Sequence, residues 1–324
     1  MSGLYYLFFS RNFLREQHAV LKGKVLHLKE MKTAKANIYT LVRNTHRIEK
    51  GLLMRPRREI FALDYIEETI EAFVVLWSKE KLKQDLQYQW FQDVLYEYFK
   101  GSASHPLIDS LSIKFFDKIK ETNNDNQYDK ASLKRIPYNR LEKDLSCISY
   151  NDFYRLARQR RSVRWFEDKL VPHDLIDKAI TVASQSPSAC NRQPYEYRII
   201  DEPNLLKELV NLPGGVKGYA EGIPMMVVVV GNLNAYFDER DRHVIYIDAS
   251  LASMTFMYAL ETLGLSSCAI NWPDVEVLER KMEKALKLEK YQRPIMCMAV
   301  GYPDPDGKVA YSEKRVLNNI RKFN

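Results

Sequence analysis

At 324 residues, with 46% hydrophobic and 28% charged side chains, the chain has the composition of a soluble globular protein long enough for two domains, or one domain plus an extension. The formal charge of +7 raises the question of an acidic partner, but Lys and Arg are interleaved with Asp and Glu for most of the length, which argues against a nucleic-acid-binding tract. Cys147, Cys190, Cys268 and Cys297 are far apart and form no C-x-x-C pair, so neither a disulfide framework nor a zinc site is suggested, and a reducing cytoplasm fits.

In chain order, the apolar run Leu4–Phe9 has no basic region before it and is too short to span a bilayer. Its expected fate is burial against the N-terminal helices, with peripheral membrane contact, backed by Arg11 and Arg15, as the alternative. Residues 1 to about 100 read as helical, with a stripe formed by Tyr65, Ile66, Ile70, Phe73, Val74 and Trp77. Within Arg43–Leu52, His46, Arg47, Glu49 and Lys50 lie within about two helical turns, and Gly51 offers a left-handed helix end. His46 reads most simply as a side chain paired with Glu49. Gly101–Pro106 breaks the helical pattern, and the polar stretch Glu121–Lys134 reads as a surface loop or linker. A boundary falls near Ser146–Asp152, dividing a helical region, 1–148, from a second domain, 149–324; no internal repeat relates the two.

The second half carries the chemistry. Arg160, Arg161 and Arg164 surround Ser162, a set of guanidinium forks and a hydroxyl suited to a phosphate. Leu175, Ile176, Ala179, Ile180 and Ala183 then recur at helical spacing. The loop Ser186–Pro194 follows, stiffened by Pro187 and Pro194, with Ser188, Asn191, Arg192 and Gln193 able to read the edge of a flat heteroaromatic ring. A phosphate at one end and a polar ring at the other describe a nucleotide-like cofactor. Tyr195–Ile200 reads as a strand, Asn204–Leu212 as a helix, Pro213–Gly215 as a turn, and Pro224–Gly231 as a strand covered on both faces. Asp248–Leu263 reads as a central helix whose small residues permit close helix contact. No Ser-His-Asp set, paired carboxylates or metal spacing competes for the site, and no G-x-G-x-x-G follows a strand.

RRSVRWF followed by PSACNRQP resembles the nitroreductase family of FMN-dependent oxidoreductases, in which an R-x-S-x-R/K-x-F opening and a P-S-x-x-N-x-Q-P loop bind the flavin. Ala259–Trp272 is similar to the family's buried helix and the turn beside the isoalloxazine, and Ile295–Pro303 to its last core strand. Lys314-Arg315 stands where the family commonly has a basic pair. The resemblance covers about residues 150–324 and implies an α+β fold: a mixed central sheet flanked by helices, preceded here by the all-helical N-terminal region.

The resemblance implies that Arg160, Arg161, Ser162 and Arg164 take the phosphate or pyrimidine end of FMN and Lys314 and Arg315 the phosphate. Pro187, Ser188, Asn191 and Gln193 would frame the ring, in the family often from the other subunit of a homodimer. Ile270 and Asn271 would stand near flavin N5, where the family usually has glycine, and Trp272 would narrow the pocket. His46 has a second reading as a side chain reaching over the pocket to substrate. The flavin, not a side chain, carries the reaction, and Cys190 and Cys268 are not expected to act in catalysis. NADH or NADPH would dock transiently as reductant, and the acceptor would be a small conjugated or nitro-type molecule. The competing readings are a flavin-binding protein used for sensing or partner binding, and a nucleic-acid or anion-binding module using the arginines alone.

Overall fold

Apolar residues at three- and four-residue spacing dominate the first third of the chain, and the backbone there is helical. The computed structural model describes residues 2–34, 36–122, 135–142 and 145–324. Among these, α1 (Ser2–Phe8), α2 (Leu14–Thr33), α3 (Ile38–Leu52), α4 (Ile66–Leu76), α5 (Lys79–Gln84), α6 (Leu86–Gly101) and α7 (Pro106–Thr122) precede any strand. The anticipated stripe falls on α4, where Ile66, Ile70 and Phe73 are fully buried. They share one apolar cluster with Leu41 and Ile48 of α3, Phe91, Leu95 and Tyr98 of α6, and Phe115 of α7.

Two N-terminal expectations are revised, and a third falls almost wholly outside the described residues. Gly51 does not end α3 in a left-handed turn: the helix runs to Leu52 and its cap, Leu53, is right-handed. The glycine is needed for close approach instead, since a Cβ there would lie 2.2 Å from Phe61 Cε2. In the run Leu4–Phe9, the side chains of Leu4, Phe8 and Phe9 are strongly exposed rather than buried. The expected linker begins inside the last turn of α7, and its residues 123–134 lie outside the described residues.

After α8 (Tyr150–Gln159) and α9 (His173–Ala183) the chain builds a sheet: β1 (Tyr195–Ile200), α10 (Pro203–Leu209), β2 (Met225–Asn232), α11 (Val244–Thr262), β3 (Ser266–Asn271), α12 (Glu276–Leu286) and β4 (Gln292–Gly301). The strand order is β1-β2-β4-β3 and every strand pair is antiparallel, for example Tyr195 opposite Gly231 and Ser266 opposite Gly301. The parallel component of the sheet is one isolated bridge, Ser162 to Ser267. β2 is buried along its whole length, as its continuous apolar run requires. Its alternate residues serve opposite faces: Met226, Val228 and Val230 pack with Leu209 and Met282, whereas Met225, Val227 and Val229 pack with Ile176, Phe256 and Leu260. α11 is thus sandwiched against the sheet and α9, with Ile247 and Leu251 left facing outward. No described helix is long and apolar enough to cross a membrane.

Candidate flavin site

The arginine segment is strapped to the edge of the sheet. Beyond Arg160, which caps α8, Ser162 bridges Ser267 and Val163 N donates to Ser267 O at 3.1 Å. Phe166 then bridges Pro303 at the end of β4. Arg161 Nη1 donates to the carbonyl of Tyr311 at 3.1 Å, and Arg164 Nη1 to that of Ser162 at 3.3 Å. None of Arg160, Arg161 and Arg164 pairs with a described carboxylate. Arg160 Nε and Ser267 Oγ are buried without a partner among the described residues. Cationic forks without carboxylate partners, beside orphaned donors, leave capacity for an incoming anion. Next to them Tyr219 lies under Arg164, whose Cζ is 5.8 Å from the ring centre, and burial pushes the Tyr219 hydroxyl up to about 12.

The loop Ser186–Pro194 is anchored to the start and middle of α11. Ser186 Oγ donates to Thr255 Oγ1 at 2.8 Å, and Ala189 N to Asp248 Oδ2 at 2.9 Å. Cys190, Asn191 and Gln193 all have left-handed backbone, with φ of 53°, 55° and 48°. Such a run in residues with side chains is costly and survives only where surroundings fix it. Here Ser188 O accepts from Asn191 N, Ser188 Oγ from Gln193 N at 3.1 Å, and Asn191 Oδ1 from Gln193 Nε2 at 3.2 Å. The side chains selected from sequence therefore first shape their own loop; Pro187 stands exposed at its start.

Asp248, which sequence reasoning left out, and Arg192, which it placed at the ring edge, complete the support. Asp248 is buried, which raises its carboxyl above the usual range, while the Ala189 amide and Arg192 counter the shift. Arg192 is itself buried, its Cζ 4.9 Å over the Tyr236 ring. Helix α3 also packs on the turn Ala189–Asn191, so the N-terminal helices back the loop. The signal for Asp248 was a charged residue in an otherwise apolar helix.

The remaining selected residues are dispersed. Ile270 is buried and Asn271 exposed at the end of β3, paired with Met296; this is strand, not turn, and Asn271 is not left-handed. Trp272, expected to narrow a pocket, is buried in the core, its Nε1 donating to Glu279 Oε1 at 3.0 Å. Glu279 in turn accepts from Arg293 Nη2 at 2.9 Å, so the indole is tied into a buried ionic cluster. His46 Nδ1 lies 3.3 Å from Glu49 Oε2, and Glu49 Oε1 accepts from Trp90 Nε1, so its bonds stay within the N-terminal helices. Lys314 and Arg315 are exposed on the C-terminal tail, which meets the arginine segment through the Arg161–Tyr311 bond. A cavity of about 810 Å³ between α2 and α12 lies elsewhere, and its charges neutralise one another: Arg15 pairs with Glu276 and Glu283, Arg293 with Asp274 and Glu279.

Within one chain the two halves of the site stand apart. The turn at Ala189 is tied to Asp248, whereas α8 reaches the far end of α11, where Gln159 Nε2 donates to Glu261 Oε2. At the helical rise per residue the two anchor points are about 20 Å apart. Apolar side chains are exposed on both elements, Tyr150, Phe153 and Tyr154 on α8 and Ile247 and Leu251 on α11.

Comparison with known proteins bears on these elements. An iodotyrosine deiodinase 1 of Mus musculus is 21% identical over 303 residues, covering 81% of this chain and 99% of the relative, and so extends into the N-terminal half. An iodotyrosine deiodinase of Nematostella vectensis is 24% identical over 201 residues, covering 52% of this chain and 74% of the relative. An FMN-dependent nitroreductase structure from Clostridium difficile superimposes with a TM-score of 0.43 at 23% identity, covering 52% of this chain and 97% of that one. The sequence pattern of the nitroreductase family matches residues 157–214 and 215–302, the span holding the arginine segment, the loop and all four strands. Over residues 157–302, somewhat under half of its length, this chain is similar to the nitroreductase family.

Proposed function

We propose that the chain is an FMN oxidoreductase acting as a homodimer, with 149–324 as the flavin-binding domain and 1–148 as a helical region packed on it. The observation that carries this is the arginine segment: guanidinium groups without carboxylate partners, beside two orphaned buried donors, at the edge of a sheet. These residues fit a phosphate-bearing group, and Arg160, Arg161, Ser162 and Arg164 would hold its anionic end, with Lys314 and Arg315 nearby on the tail. Ser188, Asn191 and Gln193, preset by their own hydrogen bonds, would frame the ring edge. The distance of about 20 Å along α11 and the exposed apolar side chains on α8 and α11 support completion of each site by a second copy.

Bound FMN would supply the electron transfer; the protein contributes position, a positive field and exclusion of water. Asp248 keeps the loop amide of Ala189 oriented, and α3 backs the same turn. NADH or NADPH is the proposed reductant and a small conjugated or nitro-type molecule the acceptor. A second reading, reductive deiodination of an iodotyrosine-like substrate, is favoured by the long alignment with the mouse protein.

The purified protein tests these readings by its spectrum. Bound flavin that bleaches anaerobically with NAD(P)H and recovers with a nitroaromatic supports the first; recovery with iodotyrosine and iodide release supports the second. Flavin that neither bleaches nor turns over assigns the fold to sensing or partner binding. A colourless preparation that takes up no FMN overturns the proposal.

A further inference from the structure

The first two helices present a surface that the flavin reading leaves unused. Residues 2–10 contain no charged side chain, and Leu4, Phe8 and Phe9 are 60%, 70% and 79% exposed. The aromatic rings pack on one another: Tyr5 against Tyr6 at 5.2 Å and Tyr6 against Phe13 at 4.6 Å between centroids. On α2, at 100° per residue, the exposed Leu14, Leu21, Val25 and Leu28 fall within an arc of about 60°. Ala19, Gly23 and His27, the buried residues of that helix, lie on the opposite side. One stripe docks on the turn Leu233–Ala235 and the other faces out.

The charges around the outer stripe are of one sign. Lys22, Lys29 and Lys32 lie on or beside it, exposed and without an ion pair to any described residue, with Arg11 exposed ahead of it. The acids of α2 point inward: Glu30 accepts from Asn37 Nδ2, and Glu16 falls on the docked side. The cations on the inner flanks are spent, Arg15 on Glu276 and Glu283 and Lys24 on Glu239.

We propose that the outer face of α1 and α2 docks on the interfacial region of a bilayer rich in anionic headgroups. Tyr and Phe side chains on an uncharged turn, continued by a leucine and valine stripe and edged by free lysines, match the composition of helices that lie in the plane of a membrane. With no helix able to cross a bilayer among the described residues, attachment is peripheral. A second copy of the chain is the poorer occupant, because a two-fold contact through this face would bring lysines against lysines with no acid to pair them.

Flotation of the full-length protein with vesicles of phosphatidylcholine alone and with added phosphatidylglycerol tests this. The protein floats with the anionic vesicles, and added salt reduces the bound fraction. Phe8→Ser with Phe9→Ser lowers partitioning by about tenfold or more. Each of Lys22→Glu, Lys29→Glu and Lys32→Glu lowers it by at least about fivefold. These positions are exposed, so thermal stability and the absorbance spectrum stay unchanged. Failure to float with the anionic vesicles overturns the proposal, as does flotation that the Phe8/Phe9 variant retains. Self-association, measured by light scattering without lipid and lost in that variant, overturns it in favour of a protein contact.

Discussion

Alanine at Gly23 separates local helix preference from the docking of α2. In an open helix the change would stabilise by about 1 kcal/mol, because glycine loses more backbone freedom on folding. At this position a Cβ would lie 2.5 Å from the carbonyl carbon of Leu233, 2.6 Å from its oxygen and 2.9 Å from Asn234 N. Carbon contacts settle near about 3.5–4.0 Å, so α2 must retreat by about 1 Å. The obstacle is backbone, which cannot rotate aside as a side chain can. The same retreat stretches the bond from His27 Nδ1 to Asn234 O, now 2.9 Å. Overpacking of this kind costs about 1–3 kcal/mol and the weakened hydrogen bond about 1 kcal/mol, against the helix gain. The net effect is a loss of about 1–3 kcal/mol, read as a fall in melting temperature of about 3–8 °C. Gly3→Ala, on α1 with nothing within 4 Å of the added methyl, is the control and loses no stability. A Gly23→Ala protein as stable as the parent would refute the docking geometry.

Other consequences concern the same supports. Arg15 holds the Glu276 carboxyl down to about 2, so the folded state binds that proton less readily than the unfolded chain. This contribution is present above the ordinary carboxylate pKa and fades as pH falls toward 2; Arg15→Ala should flatten that part of the denaturation midpoint against pH. Burial lowers the His27 imidazole, whose Nδ1 faces Asn234 O and whose Nε2 faces Thr40 Oγ1. Its folded state therefore resists protonation, and stability should drop as pH falls below the ordinary histidine value, a slope that His27→Gln removes. Glu279→Ala strands Arg293 beside Asp274 alone and removes the partner of Trp272, which should cost about 3–5 kcal/mol in chemical denaturation.

The architecture of the second half was legible because period and length spoke together. β1 spans the anticipated Tyr195–Ile200, and the unbroken Val run of β2 could be covered only from both faces. Asn271 was expected in a turn because the family resemblance implies one there, while the ladder to Met296 that holds it extended is a long-range contact. Gly51 looked like a helix end, and the Phe61 ring packed against it, which a side chain there would meet, is a contact the local sequence does not show. The pairing of His46 with Glu49 was legible from their spacing on one helix, whereas Trp272 carried no mark of its partner Glu279, since burial of an indole depends on neighbours brought by the fold. Leu4–Phe9 satisfied the rule that apolar runs go inside, yet the inner face of α2 is already filled by the turn at Leu233.

The account rests on the arginine segment as an anion grip, and flavin occupancy of Arg160→Ala with Arg164→Ala measures it most directly. Each charge-assisted hydrogen bond to a phosphate is worth about 1.5–3 kcal/mol, so loss of both side chains should weaken FMN binding by about a hundredfold or more. The variant is expected to fold normally by circular dichroism and to purify colourless, with flavin recovered only at high added FMN. A folded variant that retains the full flavin complement of the parent would contradict the account.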